Sequence, residues 1–502
     1  MKVRSLAALL CTTGLLQALS GGVLHAQSLP RANRILIEKR FQQQAWIGGD
    51  ARAPTPQEWT RSGLTAATMG PAGFDAAFLD ASPSAQWGLA LAPYGGKLAA
   101  MPTEQERRQG FLPAEARAYG ARLNSLQFGD EEAYSDLQVQ IDAAWIGLSQ
   151  RLYPDALAFT NQGWYQWSAE QLAYYLRTAK PDLLAFDLYY FPGLAGVLRT
   201  GSRPEVYDAL NKYRRVALLG DDGSGKTPVP FGQFLQGYKR GYPADDGDYI
   251  LSESEINLDA CASWTMGAKW TSIFRWQTKP STVFYQPDGS LSPQFHQYAK
   301  LTGLGNKLGP YLVRMDSSSV FIRPGIHPIL GALWPLPNTP PLTVPVWMPD
   351  AGIVAGLEAR NVGGANAGWP GDVLIGYFHA IPGLGSHASG YGLPEGAGAF
   401  FTDPRTTMFM VLNGLTLPNR QPADPNSTGG TAAETAQEIT VSLDREQSAE
   451  GRTVWQVNPN TGGYEKVDTR RVSGRLLFTT TLPGGMAALF FVASGSPPGS
   501  LR

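Results

Sequence analysis

Cysteine is nearly absent from this chain: 502 residues contain two, Cys11 and Cys261. Cys11 lies in an N-terminal apolar stretch that is expected to be removed, which leaves one thiol and no intramolecular disulfide. The core must then hold the fold together unaided. Histidine is also scarce. Beyond residue 26 only His296, His327, His379 and His387 remain, with no His-Glu-x-x-His pair and no Cys/His cluster, so neither a metal site nor a cofactor is signalled. A Gly-x-Ser-x-Gly elbow is missing as well. Charged residues make up only 17% of the chain and nearly cancel, 41 basic against 42 acidic. That balance gives no sign of a nucleic-acid partner or an anionic membrane surface.

Long hydrophobic runs are confined to Ser5–Leu19. They follow Lys2 and Arg4 and precede small residues ending Val23-Leu24-His25-Ala26. That order is expected to be a secretory signal peptide, residues 1–26, cut after Ala26 to give a secreted or periplasmic protein. The run falls short of the roughly 20 residues a membrane span needs, so no stable membrane insertion is expected.

Gly (57), Pro (38) and aromatic residues (13 Trp, 20 Tyr, 21 Phe) are abundant. From residue 43 to about 315, short apolar runs alternate with helical patterns. The expected strands are 43–48, 64–69, 87–93, 125–129, 156–161, 183–191, 229–236 and 269–276. Most are apolar on both faces, as a parallel sheet covered by helices requires. Helix starts are marked by Thr55-Pro56-Gln57-Glu58, Ser135-Asp136-Leu137-Gln138, Ser168-Ala169-Glu170-Gln171 and Ser252-Glu253-Ser254-Glu255, each read as a capping box. The Ser135 helix should bury Leu137, Ile141, Ala144 and Leu148. Eight βα units close as a (β/α)8 TIM barrel, with an open doubly wound sheet as the rival. The barrel is placed at 27–317, finished by a helix from Ser292 to Met315. Residues 318–502 read as one antiparallel β-sandwich or two small ones, with a flexible segment near 421–436.

Gly220-Asp221-Asp222-Gly223-Ser224-Gly225-Lys226-Thr227 matches the phosphate-binding loop pattern letter for letter. That loop needs a strand before it and a helix after it. Here a helical stripe (Val206, Leu210, Tyr213, Val216) precedes, and Pro228 and Pro230 follow, so no nucleotide partner is expected.

A barrel of this type works at the carboxyl ends of its strands. Strand four delivers Asp130, Glu131 and Glu132 there; strand five delivers Asn161 and Gln162, then Trp164 and Trp167. Strand six brings Asp187, Tyr189 and Tyr190, strand seven Gln236 and strand eight Trp276. Aromatic faces stack on sugar rings, while amides and carboxylates bind hydroxyls, so a carbohydrate partner is expected. Glycoside cleavage needs one carboxyl to protonate the leaving oxygen and a second to attack or to activate water. Glu131 is the expected acid, with Glu132 and Asp130 as close alternatives, and Asp187 is the expected partner. Glu255 is read as the acid of its capping box, Glu253 as compensating the helix dipole, and Cys261 as a small buried thiol.

The stretch from about Ile35 to Ser319 resembles the barrel enzymes around glycoside hydrolase family 42. The features that carry the likeness are Gly129-Asp130-Glu131, Pro154-Asp155-Ala156 leading to Asn161, Pro181 through Tyr189, Gly232 through Gln236, and Met266 through Lys269. Leu482-Pro483-Gly484-Gly485 and its apolar strand resemble the terminal β-sandwich such enzymes often carry. The resemblance implies an exported glycoside hydrolase with Glu131 as acid/base. Retaining enzymes of that clan place Asn-Glu after strand four and a nucleophilic Glu after strand seven. Here those positions hold Asp130-Glu131 and Gln236 or Gly237, so the resemblance supplies no nucleophile. A non-catalytic carbohydrate-binding barrel is the alternative.

Overall fold

The structure is a computed structural model, and it describes residues 28–47, 53–92, 98–191, 204–239, 249–276, 283–286, 288–329, 332–335, 343–349, 352–419 and 431–495. The expected signal peptide lies outside the described residues, as does 421–430 of the expected flexible segment.

Eight parallel strands close on themselves: β1 (Gln42–Ile47), β2 (Ala66–Met69), β3 (Gln86–Leu91), β4 (Leu123–Asp130), β5 (Leu157–Gly163), β6 (Leu184–Asp187), β7 (Phe231–Gln236) and β8 (Trp270–Trp276), with β8 pairing back onto β1. The fold is a TIM barrel. Helices α1 (Arg31–Glu38), α2 (Pro56–Ser62), α3 (Ala76–Ala81), α4 (Glu104–Gln109), α5 (Asp136–Leu152), α6 (Ala169–Ala179), α7 (Pro204–Leu218), α8 (Glu253–Thr265) and α9 (Pro293–Leu312) accompany it. Inside, Trp270 meets Phe159 and Phe234 at ring distances of 5.3 and 5.1 Å. Gly232 admits this ring because a Cβ there would stand 2.9 Å from the ring's Cε3, and 2.3 Å from the Trp270 carbonyl oxygen. The β1–β4 side is polar instead. Thr68 donates to Gln44 (2.7 Å), Gln44 to Ser125 (3.1 Å) and Asn124 to Gln86 (3.2 Å), so these buried groups satisfy one another.

Thr55, Ser168 and Ser252 form complete capping boxes, and Thr103 forms a further one on α4. Ser135 caps one way only: it accepts from the Gln138 N–H, while the Gln138 amide goes to the Leu98 carbonyl and to Asp142. The expected stripe on α5 is also corrected. Leu137 is exposed, and Val139, Trp145 and Ile146 are buried with Ile141 and Leu148, because Trp145 stacks on Phe128 of β4.

The helix expected to reach Met315 ends at Leu312, and Met315 opens β9 (Met315–Arg323). Beyond it come β10 (Ile326–Ile329), β11 (Ala332–Pro335), β12 (Val354–Asn361), β13 (Val373–Ala380), β14 (Thr407–Asn413), β15 (Gln437–Leu443), β16 (Arg452–Val457), β17 (Tyr464–Lys466), β18 (Arg470–Val472), β19 (Arg475–Leu482) and β20 (Ala487–Ser494). They form a six-stranded sheet β17-β16-β20-β14-β13-β9, a four-stranded sheet β12-β15-β19-β18 and the hairpin β10-β11. Alternation along the six-stranded sheet splits its side chains between two cores. Phe409, Val411, Phe490 and Val492 face the four-stranded sheet. Met408, Met410, Leu412, Leu489 and Phe491 join the barrel core.

Gly220–Thr227 runs from α7 into the extended approach to β7. Its Gly225 N–H returns to the Leu219 carbonyl, and Asp222 accepts from Ser224. The order is helix, loop, strand. No helix among the described residues is long and apolar enough to cross a membrane.

Candidate active site at the carboxyl mouth of the barrel

Strand β4 ends in a bulge, its register with β5 shifting between Gln127 and Asp130. Gly129 takes φ 71° there, and a Cβ on it would strike the Glu132 carboxylate. Glu131 itself has φ 55°, a left-handed conformation that is unusual for a glutamate. Its backbone is fixed from both sides: its N–H donates to the Asn161 carbonyl (3.1 Å), and its carbonyl accepts from the Gln166 amide (2.9 Å). The chain reversal sends Glu131 and Glu132 opposite ways. The Glu131 carboxylate lies over Gly163 at the end of β5.

Glu132 turns beneath the bend. One carboxylate oxygen accepts the N–H groups of Asp130 (3.0 Å) and Leu98 (3.3 Å), and its backbone carbonyl accepts the Trp167 indole N–H (2.8 Å). Burial pushes its carboxyl pKa up, against the pull of those two N–H groups. Glu132 is thus a buried pin for the turn, with one carboxylate oxygen committed to two backbone N–H groups.

Asp130 accepts from the Asn161 amide at 2.9 Å. On the next strand, Gly163 pairs with Asp187, and the Trp164 N–H donates to the Asp187 carbonyl. Asp187 is thus the strand partner of Gly163, over which the Glu131 carboxylate lies. Burial raises the Asp187 pKa well above the ordinary carboxylate value; the negative charges of Glu131 and Asp130 add to this, and Asn161 opposes it. One buried oxygen each of Asp187, Asn161 and Gln127 has no hydrogen-bond partner among the described residues. The expected residues Asp130, Glu131, Asn161 and Asp187 thus meet in one place.

The rings at this mouth are partly the expected ones. Tyr189 stacks on Phe274 (5.7 Å, 29°) and meets Tyr238 edge-on (5.1 Å). Trp164 is half-buried next to the exposed Tyr165. Lys212 donates to the carbonyls of Trp164 (2.5 Å) and Trp167 (2.7 Å), which fixes this turn.

Five expected contact residues are placed elsewhere. Asn161 faces the barrel interior, so Gln162 faces the helices, beside Thr160 and its partner Tyr175. Trp167 is fully buried between Tyr134 and Tyr175. Tyr190 is buried, donating to Gln233, and Trp276 is buried against Phe284 and Phe295. Gln236 spends both amide atoms on the Phe191 backbone, donating to its carbonyl (3.0 Å) and accepting its N–H (3.2 Å). Of the residues not expected, Gln127 lies three positions before Asp130, across the bulge, where alternation by twos does not lead. Tyr238 carried no signal beyond being aromatic just past a strand end.

Among the described residues no group of three or more His, Cys, Asp or Glu side chains is disposed to hold a metal. Glu255 closes its capping box and accepts from Tyr249 (2.7 Å), and Glu253 accepts the Ala432 N–H and faces Lys300. Cys261 is fully buried in α8.

No protein-family model and no curated protein matches the sequence. Among solved structures, the chain is similar to a glucosidase from Croceicoccus marinus (12% identity, 92% of this chain and 96% of that one, TM-score 0.37). It is similar as well to the GH51 arabinofuranosidase from Xanthomonas axonopodis pv. citri (12% identity, 91% and 96%, TM-score 0.39). A third is a glycoside hydrolase family 5 protein from Bacteroides vulgatus (10% identity, 92% and 90%, TM-score 0.44).

Proposed function

We propose that this protein is an exported glycoside hydrolase that cuts a poly- or oligosaccharide by carboxylate acid/base catalysis, with Glu131 as the proton donor. The reading rests on one observation: Glu131, Asp130 and Asp187 meet Asn161 at the carboxyl mouth of a closed barrel, beside the Tyr189, Tyr238 and Phe274 rings. Such a mouth is where barrels of this class do their chemistry, and clustered carboxyls with flat apolar faces are what a sugar cleft requires. The family-42-like motifs support the same reading. Export rests on the leader sequence with cleavage after Ala26. No nucleotide is assigned to Gly220–Thr227, because the helix precedes that loop and Pro228 and Pro230 offer no amide hydrogens.

The test is a reducing-sugar screen of the mature protein against a polysaccharide panel, with Glu131→Gln beside it. Glu131→Gln is expected to lose about 100-fold or more in turnover while keeping sugar binding by calorimetry. Unchanged turnover would remove Glu131 from its role. Gln236, held at the strand-seven position with both amide atoms engaged, favours the second reading, a non-catalytic carbohydrate-binding barrel. Sugar binding by the wild-type protein with no cleavage of any panel member would select it.

A further inference from the structure

We propose that Gln236 is a positioning residue: its amide ties the segment carrying Tyr189 to the end of β7, and so sets the Tyr189–Tyr238–Phe274 wall on which a sugar ring stacks. The sugar rests on the carbohydrate reading of the mouth; the setting of the wall rests on contacts alone.

Three rings close on one another at the ends of three adjacent strands. Tyr189 follows β6 by two residues, Tyr238 follows β7 by two, and Phe274 belongs to β8. Tyr189 and Phe274 stack at 5.7 Å and 29°. Tyr238 stands edge-on to both, 5.1 Å from Tyr189 and 5.9 Å from Phe274. All three residues are half-buried, so the cluster is a surface of the mouth and not part of the sealed core.

Gln236 holds the backbone of all three. Its amide donates to the Phe191 carbonyl at 3.0 Å and accepts the Phe191 N–H at 3.2 Å, two residues past Tyr189. Phe274 is its ladder partner on β8, and the N–H of the next residue, Gly237, donates to the Phe274 carbonyl at 2.5 Å. Tyr238 comes directly after Gly237. Gln236 is itself anchored by the helices behind the barrel. Its N–H donates to the Asp259 carboxylate of α8 at 3.0 Å, and its carbonyl accepts the Tyr298 hydroxyl of α9. The fixed end is therefore β7, and the tethered end is the Tyr189 segment.

An amide meets this demand and a carboxylate does not. A carboxamide carries a donor and an acceptor side by side, matching the C=O and N–H of one residue. An ionised carboxylate would set an oxygen against the Phe191 carbonyl with no hydrogen between them. The tether thus accounts for an amide at the strand-seven position, which the family-42-like motifs leave without a nucleophile. Gln236 is fully buried and acts through the rings.

A fluorine label reads the wall without a sugar. In protein carrying 3-fluorotyrosine, the Tyr189 resonance is identified by its loss in Tyr189→Phe. Gln236→Met removes both amide bonds at similar volume. The Tyr189 resonance is then expected to move toward its position in Phe274→Leu, where the stacked ring is gone. Gln236→Glu is the second variant: protonated, its carboxyl donates and accepts as the amide does, and ionised it only accepts. Its Tyr189 resonance should match the wild-type protein at about pH 5 and depart from it at about pH 9. A Tyr189 resonance unmoved in Gln236→Met, or in Gln236→Glu across that range should the first not fold, would overturn the proposal. With a panel sugar that binds, Gln236→Met should weaken affinity about tenfold, and that effect should vanish in a Tyr189→Ala background. Equal losses in both backgrounds would overturn it as well. If no panel sugar binds, the carbohydrate reading fails, while the fluorine resonance still decides whether Gln236 sets the wall.

Discussion

Glu131 and Glu132 are chemically identical neighbours separated by one peptide bond, and only the left-handed turn between them divides their work. The Glu132 carboxylate caps two N–H groups under the bend, a need that a glutamine oxygen also meets. Glu132→Gln is therefore expected to keep most of the stability and turnover. Glu132→Ala strands two buried N–H groups and should cost about 1–3 kcal/mol in urea unfolding, with turnover falling as the turn loosens. If Glu132→Gln abolished hydrolysis as Glu131→Gln should, the assignment of the two residues would be reversed. Beneath Glu132 lies Asp142, fully buried, whose carboxyl burial pushes up to about 7 from an ordinary 3.8; the Gln138 bond opposes this and the Glu132 charge adds to it. A folded carboxyl that keeps its proton when the unfolded one has lost it lends stability below about pH 4, and that stability is lost as pH rises through about 7. Asp142→Asn cannot ionise. It should be more stable than the wild-type protein at pH 8 by about 2–4 kcal/mol, with the gap closing near pH 4, as urea melts at the two pH values would show.

At the scale of elements, the site depends on the turn from Gly163 to Trp167. This turn anchors Glu131 through Gln166 and is itself anchored by Lys212. A Cβ at Gly163 would stand 2.8 Å from a Glu131 carboxylate oxygen and 2.9 Å from the Gln166 side-chain oxygen. Gly163 is extended backbone that tolerates alanine, so Gly163→Ala should move the carboxylate and not unfold the protein. The expected outcome is a loss of turnover of about tenfold or more with a thermal midpoint within a few degrees of wild type. Equal losses in both would show that the glycine serves the fold. All eight barrel strands were legible in the sequence, because burial on both faces writes them as short apolar runs between capped helices. Asp130, Asn161 and Asp187 were legible as polar ends on such runs. The φ of Glu131 was not, since nothing in Gly-Asp-Glu-Glu says which residue turns left-handed. Gln162, Trp167, Tyr190, Gln236 and Trp276 are near strand ends but engaged away from the mouth, because nearness to a strand end does not determine which way a side chain faces. Strands β9 and β12 are not legible, for another reason. β9 begins with the polar run Asp316 to Ser319, and β12 sits in a stretch dense in Pro and Gly.

At the scale of the molecule, the six-stranded sheet serves two cores and cannot be lifted away. Its barrel-facing side packs on α8 so closely that a Cβ on Gly376 would overlap the Thr265 carbonyl oxygen, and Asn257 of α8 donates to the Gly484 carbonyl (3.1 Å). At the amino-terminal end of β8, Lys269 reaches Asp316 of β9 at 2.5 Å, and both side chains are about 95% or more buried. Such a pair adds little over apolar residues of the same shape, yet removing one partner leaves a charge in a dry site at about 3–5 kcal/mol. Asp316→Ala is therefore expected to lower stability by that amount, and Lys269→Met with Asp316→Leu together to recover most of it. Because sheet and barrel share this core, both halves should fail together. Calorimetry should show one unfolding transition for the whole protein, moved as a unit by Asp316→Ala, and a chain ended after Leu312 should not give a folded barrel. Two transitions, with Asp316→Ala shifting only one of them, would mean that the barrel keeps its site in shape without the sheet behind α8.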